Sequence, residues 1–286
     1  MPPHLRIWIT KVKLEALYQE LRSSLSESDA RYVLKKRLNL TVADLITQRH
    51  KELEADEVQS VLDDLAAVQG AKPLSRIYGE NEFWGMNFIL SDETLDPRQD
   101  TEALIECVLK RYAKMGKTPE RILDLGTGSG AILIALLKEF PGAIGVGGDL
   151  SEGAIKTARI NAEKNEVAER AEFVQGSWAE NIEGRFDLIV SNPPYIRSDV
   201  ITNLDENVKK HDPILALDGG EDGLQAYKAI FLQIPELVKP GSYAFFEIGF
   251  DQEESLMRLS EESRFLLQGV HRDSVGNPRV VEIFFE

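Results

Sequence analysis

Over the first 70 or so residues the apolar positions recur at helical spacing. Leu14, Leu17, Tyr18 and Leu21 fall on one face, as do Val58, Val61, Leu62, Leu65 and Val68. Thr41 followed by Asp44 has the form of a capping box, and Gly70 is placed to stop the last of these helices. Between roughly residues 70 and 100 that period fades. The stretch "KPLSRIYGENEFWGMNFILSDETLDPRQDTE" offers short β-prone pieces, Gly79, Gly85 and two prolines. It reads as a linker that becomes a hairpin, followed by a helix from about Thr101 to Met115.

From Arg121 strands alternate with helices. "RILDLG", "AIGVGGD", "AEFVQG", "RFDLIVS" and "SYAFFEIG" read as strands. "AILIALLKEF", "EGAIKTARINAEKN" and a segment near 223–238 read as helices. Such alternation predicts a mostly parallel sheet covered on both faces, an α/β fold. The last two strands, "LLQGVHRD" and "RVVEIFFE", are joined by a short Gly-Asn-Pro turn and must run antiparallel. The expected division is a small all-helical domain at 1–72, linker and hairpin at 73–100, and the α/β domain at 101–286.

Composition narrows the class. The formal net charge is −15, and residues 1–75 hold as many Lys and Arg as Asp and Glu, so the acidity lies in the α/β region. A nucleic-acid enzyme needs cations to neutralise phosphates, but the longest basic run is "KKR" at 35–37, read as a solvated helix face. No direct nucleic-acid binding is expected, and an acidic catalytic region suits a basic protein partner. The single Cys107 excludes an internal disulfide framework and points to a reducing compartment. The start "MPPHLRIWIT" has no long apolar core, and no stretch approaches the roughly 18 apolar residues of a membrane span. These features predict a soluble cytoplasmic protein with no membrane partner. His4, His50, His211 and His271 show no metal-ligand spacing with one another or with Cys107, so no metal site is expected.

The chemistry is carried by two loops. In "DLGTGSG", Gly126, Gly128 and Gly130, with Thr127 and Ser129 between them, let the backbone turn tightly and approach a ligand closely. The second strand ends at Asp149, about 20 residues on, where a carboxylate can accept bonds from ribose hydroxyls. The pair fits an adenosine-containing cofactor. The spacing is G-x-G-x-G rather than the dinucleotide G-x-G-x-x-G, and S-adenosylmethionine competes as the ligand. Trp178, in the "GSW" after the third strand, is placed to lie against an adenine.

The second loop is "SNPPYI" at 191–196, after the strand "RFDLIV". It stands beside the glycine loop in a parallel sheet, so Asn192 would face the reactive end of the cofactor. Methyl transfer to a planar nitrogen needs acceptor oxygens that hold the NH₂ in line, because the lone pair is delocalised. Asn192 offers its side-chain carbonyl and Pro193 a backbone carbonyl, while Pro194 adds rigidity and Tyr195 a flat face for a planar group. Preorganisation of these acceptors would be the source of rate.

Gly-Thr-Gly-Ser-Gly, then Asp149, then Asn-Pro-Pro-Tyr, resembles the class I S-adenosylmethionine-dependent methyltransferases that act on planar nitrogens. "YGENEFWGMNFILSDETLDPRQDTE", "NPPYI", "ALDGGEDGL" and "FFEIG", with the helical N-terminal domain, resemble the release factor glutamine N5-methyltransferase (PrmC/HemK) family over nearly the whole chain. The resemblance implies a Rossmann-like sheet and methylation of the glutamine in the Gly-Gly-Gln motif of class 1 peptide chain release factors. Gly126 through Gly130, Asp149, Trp178 and Asn192 would then bind S-adenosylmethionine, which leaves as S-adenosylhomocysteine, and Asn192 through Tyr195 would hold the glutamine amide. The helical domain would dock the protein substrate. Where the family has Pro-Arg-Pro-[Asp/Glu]-Thr-Glu after an apolar residue, this chain has Asp96-Pro97-Arg98-Gln99-Asp100-Thr101-Glu102. Arg98 and Glu102 are retained, and the loop is expected to wall the pocket, with no chemistry assigned to it. The alternative is an adenine-N6 nucleic-acid methyltransferase, against which the acidity and the lack of a target-reading insertion count.

Overall fold

The computed structural model describes residues 11–273 and 275–286, so the opening stretch with His4 lies outside the described residues. The chain divides into two compact units, Met1–Tyr78 and Gly79–Glu286.

The first unit holds α1 (Leu14–Arg22), α2 (Glu27–Leu38), α3 (Val42–Thr47) and α4 (Ala55–Gln69), and a short helical turn, Leu74–Tyr78, continues it where a linker was expected. Leu14, Leu17, Leu21, Val33, Leu34, Val58, Val61 and Leu65 form its buried core, as the helical spacing predicts. Burying each large aliphatic side chain is worth about 1.5–3 kcal/mol, which holds these short helices together where propensity alone would not. The capping box forms: Thr41 Oγ1 accepts from the Asp44 N–H at 3.2 Å, and Asp44 accepts from the Thr41 N–H at 2.8 Å. Gly70 caps α4.

One feature departs from a purely helical unit, and one adds an anchor to the basic run, whose Lys35 and Arg37 are exposed as expected. Val12–Lys13 pairs antiparallel with Glu52–Leu53, a contact too short to leave an alternating pattern, and Leu53 is fully buried there. Arg37, from the "KKR" run, sends its guanidinium to the buried Asp64 in a bidentate pair at 2.7 and 2.6 Å. Tyr78 donates to the same carboxylate.

The second unit opens with a hairpin, Glu80–Phe83 and Met86–Ile89, turned by Trp84 and Gly85 at φ +50° and +68°. Positive φ at both central residues marks a type I′ turn, whose twist matches that of the strands. Trp84 is held in this unfavourable region because Glu102 accepts its backbone N–H at 2.9 Å and Glu139 its ring N–H at 2.7 Å.

The sheet contains β1 (Arg121–Leu125), β2 (Ile144–Asp149), β3 (Ala171–Gln175), β4 (Phe186–Ser191), β5 (Val238–Glu247), β6 (Leu266–Arg272) and β7 (Pro278–Phe284). Their order is β6-β7-β5-β4-β1-β2-β3. The first five are mutually parallel, and β7 is inserted antiparallel between β5 and β6. Helices α5 (Glu102–Met115), α6 (Ala131–Glu139) and α7 (Glu152–Lys164) cover one face, packing on Leu188, Val190 and Phe245. Helices α8 (Gln225–Gln233) and α9 (Glu253–Glu262) cover the other, packing on Leu125, Ile189 and Phe246. Strand residues alternate between the two layers, as a doubly covered sheet requires. This is the Rossmann-like architecture with an antiparallel C-terminal hairpin that the alternation predicts.

Candidate active site

Sheet register places the candidate residues in a row. Leu125 of β1 pairs with Gly148 of β2 and with Ser191 of β4, and Ser191 pairs with Phe246 of β5. One residue further along each chain stand Asp149, Gly126, Asn192 and Glu247, side by side at the carboxyl ends of four neighbouring strands. Ligands of open α/β sheets bind at this edge.

The glycine loop leaves β1 under tight backbone control. The N–H groups of Gly126 and Thr127 both donate to Gly148 O, at 2.8 and 2.9 Å. Gly126, Gly128 and Gly130 have φ of +73°, +55° and +80°, where a Cβ is strained. A Cβ on Gly128 would meet nothing within 4 Å, whereas one on Gly130, which caps α6, would press on Ile134 and Ala158 at 3.0 and 3.2 Å. Within one loop, then, Gly128 leaves space for a ligand and Gly130 allows helices to pack. Beneath the loop, Asp124 is fully buried and accepts from Thr127 Oγ1 at 2.7 Å. Burial pushes its carboxyl up to about 7.

Asp149 lines the cavity and also holds the loop. Its two oxygens accept from the N–H groups of Gly128 at 2.8 Å and Ser151 at 2.9 Å, so it ties the glycine loop to the start of α7. Each oxygen keeps a lone pair for a ligand. Burial raises its pKa while those backbone N–H groups hold it down. A second carboxylate, Glu93, accepts from Ser151 Oγ and from the Gly153 N–H at the same helix start.

The Asn-Pro-Pro-Tyr segment is braced by the glycines that follow it. Ile196 N–H donates to Leu217 O at 3.0 Å, and Gly219 N–H to Ile196 O at 2.8 Å. A Cβ on Gly219 would meet Pro194 O and Tyr195 Cα at 2.8 Å, and one on Gly223 would meet Tyr195 O at 2.6 Å. "DGGEDG" is therefore glycine-rich because backbone must lie directly on backbone. Gln252 completes the brace by donating to Tyr195 O at 3.1 Å.

These elements surround one cavity of about 480 Å³, a size suited to a small-molecule ligand. Gly126, Thr127, Gly128, Ser129, Asp149, Trp178, Asn192 and Pro194 line it, together with Pro97, Arg98 and Thr101 of the preceding loop. Trp178, at φ +56°, lays its ring edge 3.5 Å from where a Gly126 Cβ would be. Three of the expected residues are placed differently. Gly130 sits at the helix cap, Pro193 is buried, and Tyr195 packs into the α8–α9 layer, none of them lining the cavity. Burial pushes the Tyr195 hydroxyl up to about 12, so it stays protonated at neutral pH.

Thr101, Asp124, Glu93 and Glu247 were not singled out by sequence reasoning. For Asp124 and Glu247 a signal existed, an acid inside the apolar runs "RILDLG" and "AFFEIG". For Thr101 the signal was its place in the Asp96–Glu102 loop expected to wall the pocket, as it does.

Residues 80–213 match the methyltransferase small domain family. The release factor glutamine methyltransferase of Bradyrhizobium diazoefficiens is 43% identical over 258 residues, 90% of this chain and 87% of that one. That of Agrobacterium fabrum is 40% identical over 255 residues, 88% of each chain. Among solved structures, the ribosomal protein L11 methylase of Lactobacillus delbrueckii subsp. bulgaricus superposes with a TM-score of 0.50 at 21% identity, over 67% of this chain and 83% of that one. At that identity the likeness extends to the fold alone. The relatives above match over nearly their full length, and the chain belongs to the release factor glutamine methyltransferase family.

Proposed function

We propose that this protein methylates the side-chain amide nitrogen (N5) of the glutamine in the Gly-Gly-Gln motif of class 1 peptide chain release factors. S-adenosylmethionine is the donor, and the reaction takes place in the cytoplasm. One observation carries the reading: Asn192 shares a cavity with the glycine loop, and its Nδ2 already donates to Thr101 Oγ1 at 3.1 Å. Its carbonyl oxygen is thereby left as the end available to a substrate amide.

The lining suits an adenosyl sulfonium. Gly128 leaves open space beside the backbone, Asp149 presents a carboxylate for hydroxyl groups, and the Trp178 ring offers a flat apolar surface. When bound, the sulfonium supplies an electrophilic methyl carbon. Asn192 Oδ1, which the cavity presents, accepts one hydrogen of the target amide, which turns the nitrogen lone pair toward that carbon. The amide nitrogen becomes acidic as it gains the methyl, so its proton can pass late to water without a dedicated base. The first unit, built on its own core, serves the protein substrate rather than the cofactor.

The test is mass spectrometry of purified release factor after incubation with this protein and S-adenosylmethionine. An added methyl group on the Gly-Gly-Gln glutamine is expected, and it should fall steeply with Asn192→Ala even when both substrates saturate. Methylation of an adenine-containing oligonucleotide in place of the release factor would establish the adenine-N6 reading instead.

A further inference from the structure

An asparagine side chain has two ends of nearly the same shape, one an acceptor and one a donor. Only the acceptor end can take a hydrogen from a substrate amide, so something behind Asn192 must decide which end faces the cavity. Thr101, which accepts from Asn192 Nδ2, is 4% exposed, and Glu247 is 2% exposed. Glu247 follows Phe246, the ladder partner of Ser191, and is therefore the lateral neighbour of Asn192. Val190 and Phe245 face the α5 layer, so Asn192 and Glu247, each two residues on, point the same way, toward Thr101 at the start of α5. Glu247 Oε2 is buried with no hydrogen-bond partner.

A carboxylate only accepts, so a hydroxyl beside it turns its single hydrogen that way and offers its lone pairs to the other neighbour. We propose that Glu247, through the Thr101 hydroxyl and by facing the Asn192 NH₂ itself, locks the Asn192 amide with its NH₂ inward and its carbonyl toward the cavity. Glu247 and Thr101 are then positioning residues for the methyl-accepting nitrogen. The inference rests on the reading of Asn192 given above.

Burial pushes the Glu247 carboxyl up to about 7, against hydrogen bonding from Thr101, the attraction of Arg279 and a further hydrogen bond from the Asn192 amide. Arg279 on β7, Asp100 ahead of α5, Tyr195 beyond β4 and Tyr227 on α8 are the charged and titratable groups around it. A neutral Glu247 can itself donate to Thr101. The threonine hydrogen then turns to Asn192 Oδ1, and the amide is free to reverse. The methyl-transfer rate is therefore expected to rise with pH through about 7.

Three variants of the full chain test this: Thr101→Val, Thr101→Ser and Glu247→Gln. The readouts are single-turnover methylation of release factor, S-adenosylhomocysteine affinity by calorimetry, and exchange of the Asn192 side-chain amide hydrogens by NMR without ligand. Thr101→Val should lower the saturated rate about tenfold, the kinetic equivalent of one hydrogen bond between neutral groups. Because Thr101 also lines the cavity, the substitution should lower the saturated rate more than it weakens S-adenosylhomocysteine affinity or raises the KM for release factor, and it should speed the amide exchange. Thr101→Ser should restore both rate and protection, and Glu247→Gln should abolish the rise with pH. If Glu247→Gln does not fold, the Thr101 pair decides alone. Wild-type rate and protection in Thr101→Val, with Asn192→Ala slow, would overturn the positioning role and leave the reading of Asn192 standing. A wild-type rate in Asn192→Ala would remove both.

Discussion

The same substitution at two glycines of one loop should have opposite consequences. Gly128→Ala and Gly130→Ala each place a Cβ on a backbone with positive φ, +55° and +80°. That alone costs about 1–2 kcal/mol. At Gly128 nothing more is lost from the fold, since the new methyl meets no protein atom within 4 Å. At Gly130 the methyl lies 3.0 Å from Ile134 Cδ1 and 3.2 Å from Ala158 Cβ. Overpacking of this kind adds about 1–3 kcal/mol, bringing the destabilisation to about 2–5 kcal/mol. For a unit of this size each kcal/mol lowers the melting temperature by about 2–4 °C, so calorimetric scanning separates the two variants. Affinity for S-adenosylhomocysteine should rank the other way. The Gly128 methyl takes up ligand space and should weaken binding about 10–100-fold, the equivalent of a clash of that size. Gly130→Ala should bind normally at temperatures where it is folded. Undiminished titration of Gly128→Ala with S-adenosylhomocysteine would refute the assignment of this loop to the ligand.

Three further outcomes are expected. Asp149→Asn should weaken S-adenosylhomocysteine binding about 10–100-fold, the worth of hydrogen bonds to a charged group, and unchanged calorimetry would remove Asp149 from the ligand site. His271, bonded to Cys107 and then to Glu282, has its pKa raised to about 9, above the unfolded value of 6.5. Its stabilising contribution is thus complete below pH 6.5 and is lost as pH rises through about 9, so thermal unfolding of His271→Gln should lack a destabilisation that the wild type shows over that range. A chain beginning at Gly79 should still bind S-adenosylhomocysteine but methylate release factor poorly; full activity would show that the first unit is dispensable.

Local physics was legible in the sequence and distant pairing was not. The Thr41–Asp44 box, the Gly70 stop, the glycine loop and the stiff Asn-Pro-Pro-Tyr turn each depend on residues a few positions apart, and each is where the pattern places it. The partner of Asn192 lies 91 residues away in Thr101, and the anchor of Arg37 lies 27 residues away in Asp64. Nothing in spacing or composition connects such pairs before the sheet and helices bring them together. Tyr195 illustrates the limit from the other side. Its neighbours pointed to a substrate face, but its ring packs into the α8–α9 layer while the Gly219–Gly223 backbone lies against its main chain. Asp149, expected to meet a ligand only, also serves the fold by holding the loop that a ligand would touch.

The insertion of β7 between β5 and β6 bears on what happens when synthesis of this chain stops early. Every residue lining the cavity precedes Ile234, and Glu247 closes the row at the strand ends. A polypeptide released after α9 would therefore carry the whole cavity lining and all five parallel strands, without Arg279 beside Glu247. It would also leave β5 as an open edge, because Tyr243 through Glu247 pair with Phe284 through Val280 of β7 on that side. Tyr243, Ala244, Phe245 and Phe246 on an unpaired strand form a template for other chains. The cost of losing the last 24 residues, 263–286, would fall on solubility, because a fragment that keeps the cavity lining would aggregate through that edge.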